Sequence, residues 1–244
     1  MNWLDIRVKD WINIYEYLND NDAKMVLSIL YDLDFDEIED LPYDLVIEKL
    51  NSIQFLTNPP KIKKPHLIIE GVDFYLMDFN RIEFGAFIDL EYYLTKEKNW
   101  YNNLPHILQI LYRRKLKHED LFEGDEWEPY NNFSTKRKDL FYDVLFVDVY
   151  GSLNQYLEFR EKLFGTYEGM FNEKGDELDE DTTRMTAEER KEIEQEKRIG
   201  KWSYELLLMK LSNNDPLKIG EAMELPLTRA FNLLALMYEL KINQ

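Results

Sequence analysis

VKDWINIYEYLN, residues 8–19, places Trp11, Ile14, Tyr15 and Leu18 at helical spacing, the repeat of an amphipathic helix with one apolar face. Asn19, Asp20 and Asn21 form a polar break. Asp22 is then placed to cap a second helix that runs to Leu33, with Met25, Ile29, Leu30 and Leu33 turned inward. A short acidic turn of helix at 34–40 precedes Leu41-Pro42, which opens a third long helix ending near Leu56. Proline near the first helical position gives up an N–H that the helix does not use. Leu45, Val46, Leu50 and Ile53 follow at helical spacing.

Outward from this block the pattern changes once and then returns. Residues 57–65, TNPPKIKKP, hold three prolines and form a stiff linker. HLIIEGVDFYLMDF, residues 66–79, has two short apolar runs around Glu70-Gly71, the pattern of a β-hairpin with its turn at Gly71. A two-stranded ribbon is marginal alone, so it must pack on helices. Residues 82–95 return to helix through Phe84, Phe87, Ile88 and Tyr92, and LPHILQILYRR, from Leu104, makes another with Pro105 in its first turn. Residues 118–135 read as a loop. A helix is expected from Lys136 to about Leu163, with a buried strand within 140–150 as the alternative. Gly151 would then permit a close approach or a kink. Residues 165–184 form an acidic loop, and Thr186 with Glu189 fits a capping box on a strongly charged helix. Pro216 opens a short helix, and Leu225-Pro226 opens the last, with Leu227, Phe231, Leu234 and Met237 inward.

The expected fold is therefore mainly α, a helical-bundle-like protein with one small β-hairpin after residue 65. Its expected organisation is an N-terminal helical subdomain at 1–56, the linker at 57–65, and a hairpin plus helical domain at 66–244. Two internal echoes stand out. WINIYEYL (11–18) and LSILY (27–31) are echoed by FIDLEYYL (87–94) and LQILY (108–112). The order short helix, Leu-Pro, apolar helix at 35–56 returns at 217–240. Chance likeness among Leu-, Ile- and Tyr-rich helices and a duplicated helical hairpin are both compatible with these echoes.

Composition narrows the function classes. The 244 residues carry a formal net charge of -18 and no cysteine. Such acidity disfavours nucleic acid and anionic membrane surfaces, which bind clustered Lys and Arg, and favours a basic or mixed-charge protein partner. Disulfides, thiolate zinc sites and cysteine nucleophiles are excluded. No charged leader precedes an apolar run and no stretch is long enough to span a bilayer, so the chain is expected to be intracellular. Phosphate-binding glycine loops and the G-x-S-x-G elbow do not occur. His66, His106 and His118 share no metal-ligand spacing, and the acidic run Asp176 to Asp181 lacks the calcium-loop pattern. No catalytic, cofactor or metal residue is therefore expected. The basic spots, Lys61 to Lys64, Arg113 to Lys117 and Lys136 to Lys138, are expected to solvate helix ends or loops. Aromatic anchors are the better functional candidates. Trp3, Trp100, Tyr101 and Trp127 fall at helix edges or in loops and are the expected partner-binding residues.

Several stretches resemble the small helical proteins encoded in the structural gene blocks of tailed bacteriophages, some of them tail assembly chaperones. The similar pieces are VKDWINIYEYL, VLSILYDLDFDEIEDLP, IIEGVDFYL, FGAFIDLEYYLTKEKNWYNNLPHILQILYRR and KWSYELLLMKLSNNDPLKIGEAMELPLTRAFNLLALMYE, together about two-thirds of the chain. The resemblance implies a non-enzymatic morphogenesis protein of the host cytoplasm that binds other phage proteins, such as tape measure, tail or neck proteins. The alternative it implies is a virion subunit of a connector, ring or baseplate. Self-association is left open. An enzyme with a site built from scattered carboxylates is the rival from another class.

Overall fold

The computed structural model describes residues 1–95, 99–116, 127–130, 137–167 and 203–240. His118, most of the acidic loop and the charged helix from Thr186 lie outside these residues. The chain divides into two compact units, Met1–Met77 with Asp89–Leu157, and Asp78–Ile88 with Glu158–Gln244. The proline-rich segment 57–65 lies inside the first unit.

In the first unit a 3-10 turn at Trp3–Asp5 leads into α1 (Val8–Asn19), α2 (Ala23–Tyr31), α3 (Phe35–Glu39) and α4 (Tyr43–Ile53). Asp22 caps α2 as expected, its carboxylate accepting the Met25 N–H at 3.1 Å, and Asp32 ends that helix in the left-handed region at φ 53°. The inward face of α2 differs from expectation: Val26 and Leu27 are buried, while Met25, Ile29, Leu30 and Leu33 are half-buried. The helix packs against α1, α3 and α4 at once, so its most enclosed line falls between neighbours instead of along one stripe. On α4 only Ile53 is buried.

The hairpin forms as read. β1 (His66–Ile69) pairs antiparallel with β2 (Val72–Leu76). Glu70 and Gly71 take φ values of 51° and 78°, the two consecutive positive angles of a tight turn matched to strand twist. A third strand was not legible. α6 (Leu104–Leu111) stops short of Arg114, and β3 (Tyr112–Arg113) pairs with the far edge of β2. An open sheet edge offers hydrogen bonds that a further helical turn cannot.

The helix expected from Lys136 is shorter. Arg137–Phe141 is a 3-10 turn, and α7 (Phe146–Thr166) begins only at Phe146. Residues 140–150 are not a strand either. Leu145 sits in a single antiparallel bridge with Arg7. The Val8 amide donates to the Val144 carbonyl at 2.9 Å and the Phe146 amide to the Ile6 carbonyl at 2.8 Å. This extended pairing holds the chain out of helix until Phe146. α7 also carries two residues of the expected acidic loop, Gly165 and Thr166.

The second unit repeats that device. α5 (Phe84–Thr95) starts there, and α8 (Ser203–Leu211), α9 (Ile219–Met223) and α10 (Leu227–Glu239) complete it. Glu83 bridges Pro226, with the Phe84 amide donating to the Leu225 carbonyl and the Leu227 amide to the Ile82 carbonyl, both at 2.8 Å. Phe84, Phe87, Phe231 and Leu234 are buried around this junction. The first echo thus marks α1 and α5, each 12 residues long and each entered from a bridge residue. The second marks α3–α4 and α9–α10. The link residues Asp40 (φ -81°, ψ -8°) and Glu224 (φ -80°, ψ -9°) match. So do Pro42 (φ -54°, ψ 138°) and Pro226 (φ -55°, ψ 136°).

Candidate protein-binding site

Three of the four candidate anchors come together along α1. Trp3 is half-buried, edge-on to Phe55 at 5.2 Å and tilted against Trp11 and Phe146 at 5.8 and 6.0 Å. Trp11 stacks on Phe146 at 4.2 Å and touches Tyr15, which carries Trp100 edge-on at 5.8 Å and Tyr101 at 4.6 Å. Tyr101 is buried, and its hydroxyl donates to Glu16 at 3.2 Å. Burial, and then the Glu16 carboxylate, push that phenol above its usual range. Trp127 lies apart at the hairpin. It is half-buried and edge-on to Tyr75, with the Lys115 ammonium over both rings at 5.2 and 5.1 Å. All four rings therefore have intramolecular partners, and their free surface is partial.

The buried charges were not foreseen. Arg113 and Arg137, read as solvated basic spots, are enclosed at 0% and 6% exposure. Glu128, at 5%, accepts from both Arg114 and Arg137, and Arg137 also donates to the Tyr112 carbonyl at 2.8 Å. Burial alone would raise the Glu128 carboxyl, but the two guanidiniums outweigh it and hold it below its ordinary value. Burial draws Arg137 down to about 10, so it stays protonated at neutral pH. Nearby, Tyr130 donates to Asp89, whose carboxyl is raised because desolvation exceeds the help of that bond. Both Glu128 oxygens face guanidinium groups, an arrangement suited to pinning residues 112–116, 127–130 and 137–141 together. The signal in the sequence was faint: one Trp-Glu-Pro among scattered basic residues.

The histidines are used locally. His66 stacks on Tyr75 at 4.5 Å and meets Asp73 at 2.6 Å, and His106 stacks on Tyr93 at 4.6 Å. Among the described residues no group of three or more His, Asp or Glu is arranged to hold a metal ion, and no helix is long and apolar enough to cross a membrane.

Apolar surface gathers instead on helix flanks. On α4, Tyr43 is 76% exposed, and Leu45 and Ile47 are exposed with it. Tyr43 and Ile47 lie one turn apart, beside Asp44 and Glu48, which are also exposed. Residues 34–48 hold seven acidic side chains and no basic one. In the second unit Leu236, Tyr238 and Leu240 of α10 and its end, with Met223 of α9, are likewise exposed. On α4 Ile53 is buried and Val46 and Leu50 are half-buried, which leaves Tyr43, Leu45 and Ile47 in water.

No protein-family model, curated protein or solved structure matches the chain.

Proposed function

We propose that this chain acts by binding other proteins, as a non-enzymatic bacteriophage morphogenesis protein of the tail-assembly-chaperone kind, working in the host cytoplasm without a cofactor. The observation that supports this best is the exposed apolar flank that Tyr43 and Ile47 form one turn apart on α4, set in an acidic border. An amphipathic partner helix can lay its apolar side on such a flank and its basic side on the border. Tape measure, tail or neck proteins are the proposed partners. The locked pairing of Glu128 with two arginines supports a structural role for this buried carboxylate.

The test is co-expression and co-purification with the proteins of the neighbouring genes. A stable complex with one of them is expected, and the absence of any complex would remove the proposal. Mass spectrometry of purified virions separates the two modes. A chaperone is absent from particles, whereas a connector, ring or baseplate subunit is present in fixed copy number.

A further inference from the structure

Three helices share one entrance: Phe146 of α7 and Leu227 of α10 follow Leu145 and Pro226, and Tyr43 of α4 follows Pro42. At the first two, the residue before the helix sits in an antiparallel bridge with the start of another helix. Phe146 and Leu227 are 1% and 0% exposed there. At α4 the backbone conformation is that of α10, yet among the described residues no bridge forms. Among the described residues the Leu41 carbonyl and the Tyr43 amide have no hydrogen-bond partner, and Tyr43 stands 76% exposed. The entrance is built, and among the described residues its pairing place is open.

We infer that Leu41–Tyr43, together with Asp40 and Ile47, docks the start of a helix on another protein: an extended apolar–basic–apolar–basic segment that runs into an amphipathic helix. This rests on the protein-binding reading above and names the chemistry of the partner. The chain's own α1 entrance supplies the pattern. Ile6 and Val8 are buried, and their carbonyl and amide bond to Phe146 and Val144. Arg7 and Lys9 pair with Asp143 at 3.1 and 2.6 Å. Asp143 stands two residues before its bridge residue Leu145, and Asp40 stands two residues before Pro42. Asp40 is exposed. A partner strand would give a carbonyl to the Tyr43 amide and an amide to the Leu41 carbonyl. Its apolar residues would cover Tyr43 and Ile47, and its basic residues would meet Asp40. Proline suits the centre of such a bridge because its missing N–H points away from the pairing, as at Pro226. Charge selects the occupant. A second copy would bring seven more acidic side chains against the seven in residues 34–48, and like charges at close range repel. A basic segment is attracted.

The probe is a synthetic peptide that opens Ile-Arg-Val-Lys and continues as a lysine-rich amphipathic helix, titrated into the full chain by fluorescence polarisation. Saturable binding is expected. Asp40→Lys should weaken it at least about tenfold, a charge-assisted bond having become a repulsion, while Asp20→Lys, an equal charge change on α1's exposed end, should not. Tyr43→Pro removes the amide at a first-turn position where proline is tolerated. It should bind at least about fivefold more weakly than Tyr43→Ala, which keeps that amide. Circular dichroism and melting confirm that each variant is folded. The inference is overturned if the wild-type chain does not bind saturably, if Asp20→Lys matches Asp40→Lys, or if Tyr43→Pro matches Tyr43→Ala. The co-expression complex, repeated with Asp40→Lys, keeps the two ideas apart. A complex that survives the substitution overturns this site and leaves the protein-binding reading standing. Peptide binding without any complex removes that reading and not the site.

Discussion

A Cβ placed on Gly151 would lie 2.1 Å from the carbonyl oxygen of Ile62. The proline-rich segment runs so close over α7 that only hydrogen fits between them. Lys64, two residues on, reaches Asp148 on the same helix at 2.6 Å. Gly151→Ala should therefore force the two backbones apart and lower stability by about 1–3 kcal/mol. Urea unfolding would show it as a lower midpoint. An unchanged midpoint would mean that the segment yields at no cost.

Glu128 and Asp89 should answer opposite to each other when neutralised. Glu128→Gln leaves Arg137 buried without its counter-charge and should cost about 3–5 kcal/mol. Asp89→Asn removes a charge that burial disfavours and keeps an oxygen for the Tyr130 hydroxyl, so it should be neutral or stabilising.

The pH dependence of the two groups follows from their directions. Glu128 has a folded pKa below its unfolded one. Its stabilisation is full above the unfolded value of about 4.3 and is lost as pH falls through the folded value. Asp89 is raised, so its contribution is full below about 3.9 and is lost as pH rises through its folded value. Denaturation curves at several pH values on the wild type and both variants would check the signs. A Glu128→Gln variant as stable as wild type at neutral pH would contradict the pinning role.

Tyr112 joins three segments. Its buried hydroxyl lies 2.8 Å from both the Lys64 carbonyl and the Ser152 hydroxyl. Burial pushes the phenol up to about 12, so it stays protonated and able to donate across ordinary pH. Tyr112→Phe should cost about 1–2 kcal/mol through the lost bonds. A melting temperature equal to wild type would argue against these contacts.

Trp3→Ala should lower thermal stability, because the ring contacts Trp11, Phe55 and Phe146. An effect on partner binding is separable by comparing affinities well below the melting temperature. If Trp3 is also an anchor, binding weakens by more than about 1 kcal/mol in the folded variant. Intact affinity would assign it to packing alone.

Local chemistry was legible where neighbours in sequence satisfy one another. Asp22 capping α2, the Glu70-Gly71 turn and the Leu-Pro entrances of α4 and α10 all rest on contacts within a few residues. The inward line of α2, the end of α6 and the start of α7 were not legible, because distant segments compete for the same backbone groups. β2 takes Tyr112–Arg113 out of α6, and Ile6–Val8 holds Leu145 extended.

By itself the sequence determined a mainly helical chain, the starts of α2, α4 and α10, its hairpin and an acidic character set against cysteine and phosphate chemistry. Those follow from periodicity, caps and charge. Only the tertiary structure decided that Arg113, Glu128 and Arg137 are interior, that Gly151 faces Ile62, and that of three like helix entrances two are paired and the one at Tyr43 is, among the described residues, open. Burial and pairing depend on what lies across a gap in space, and residue spacing along the chain does not specify that.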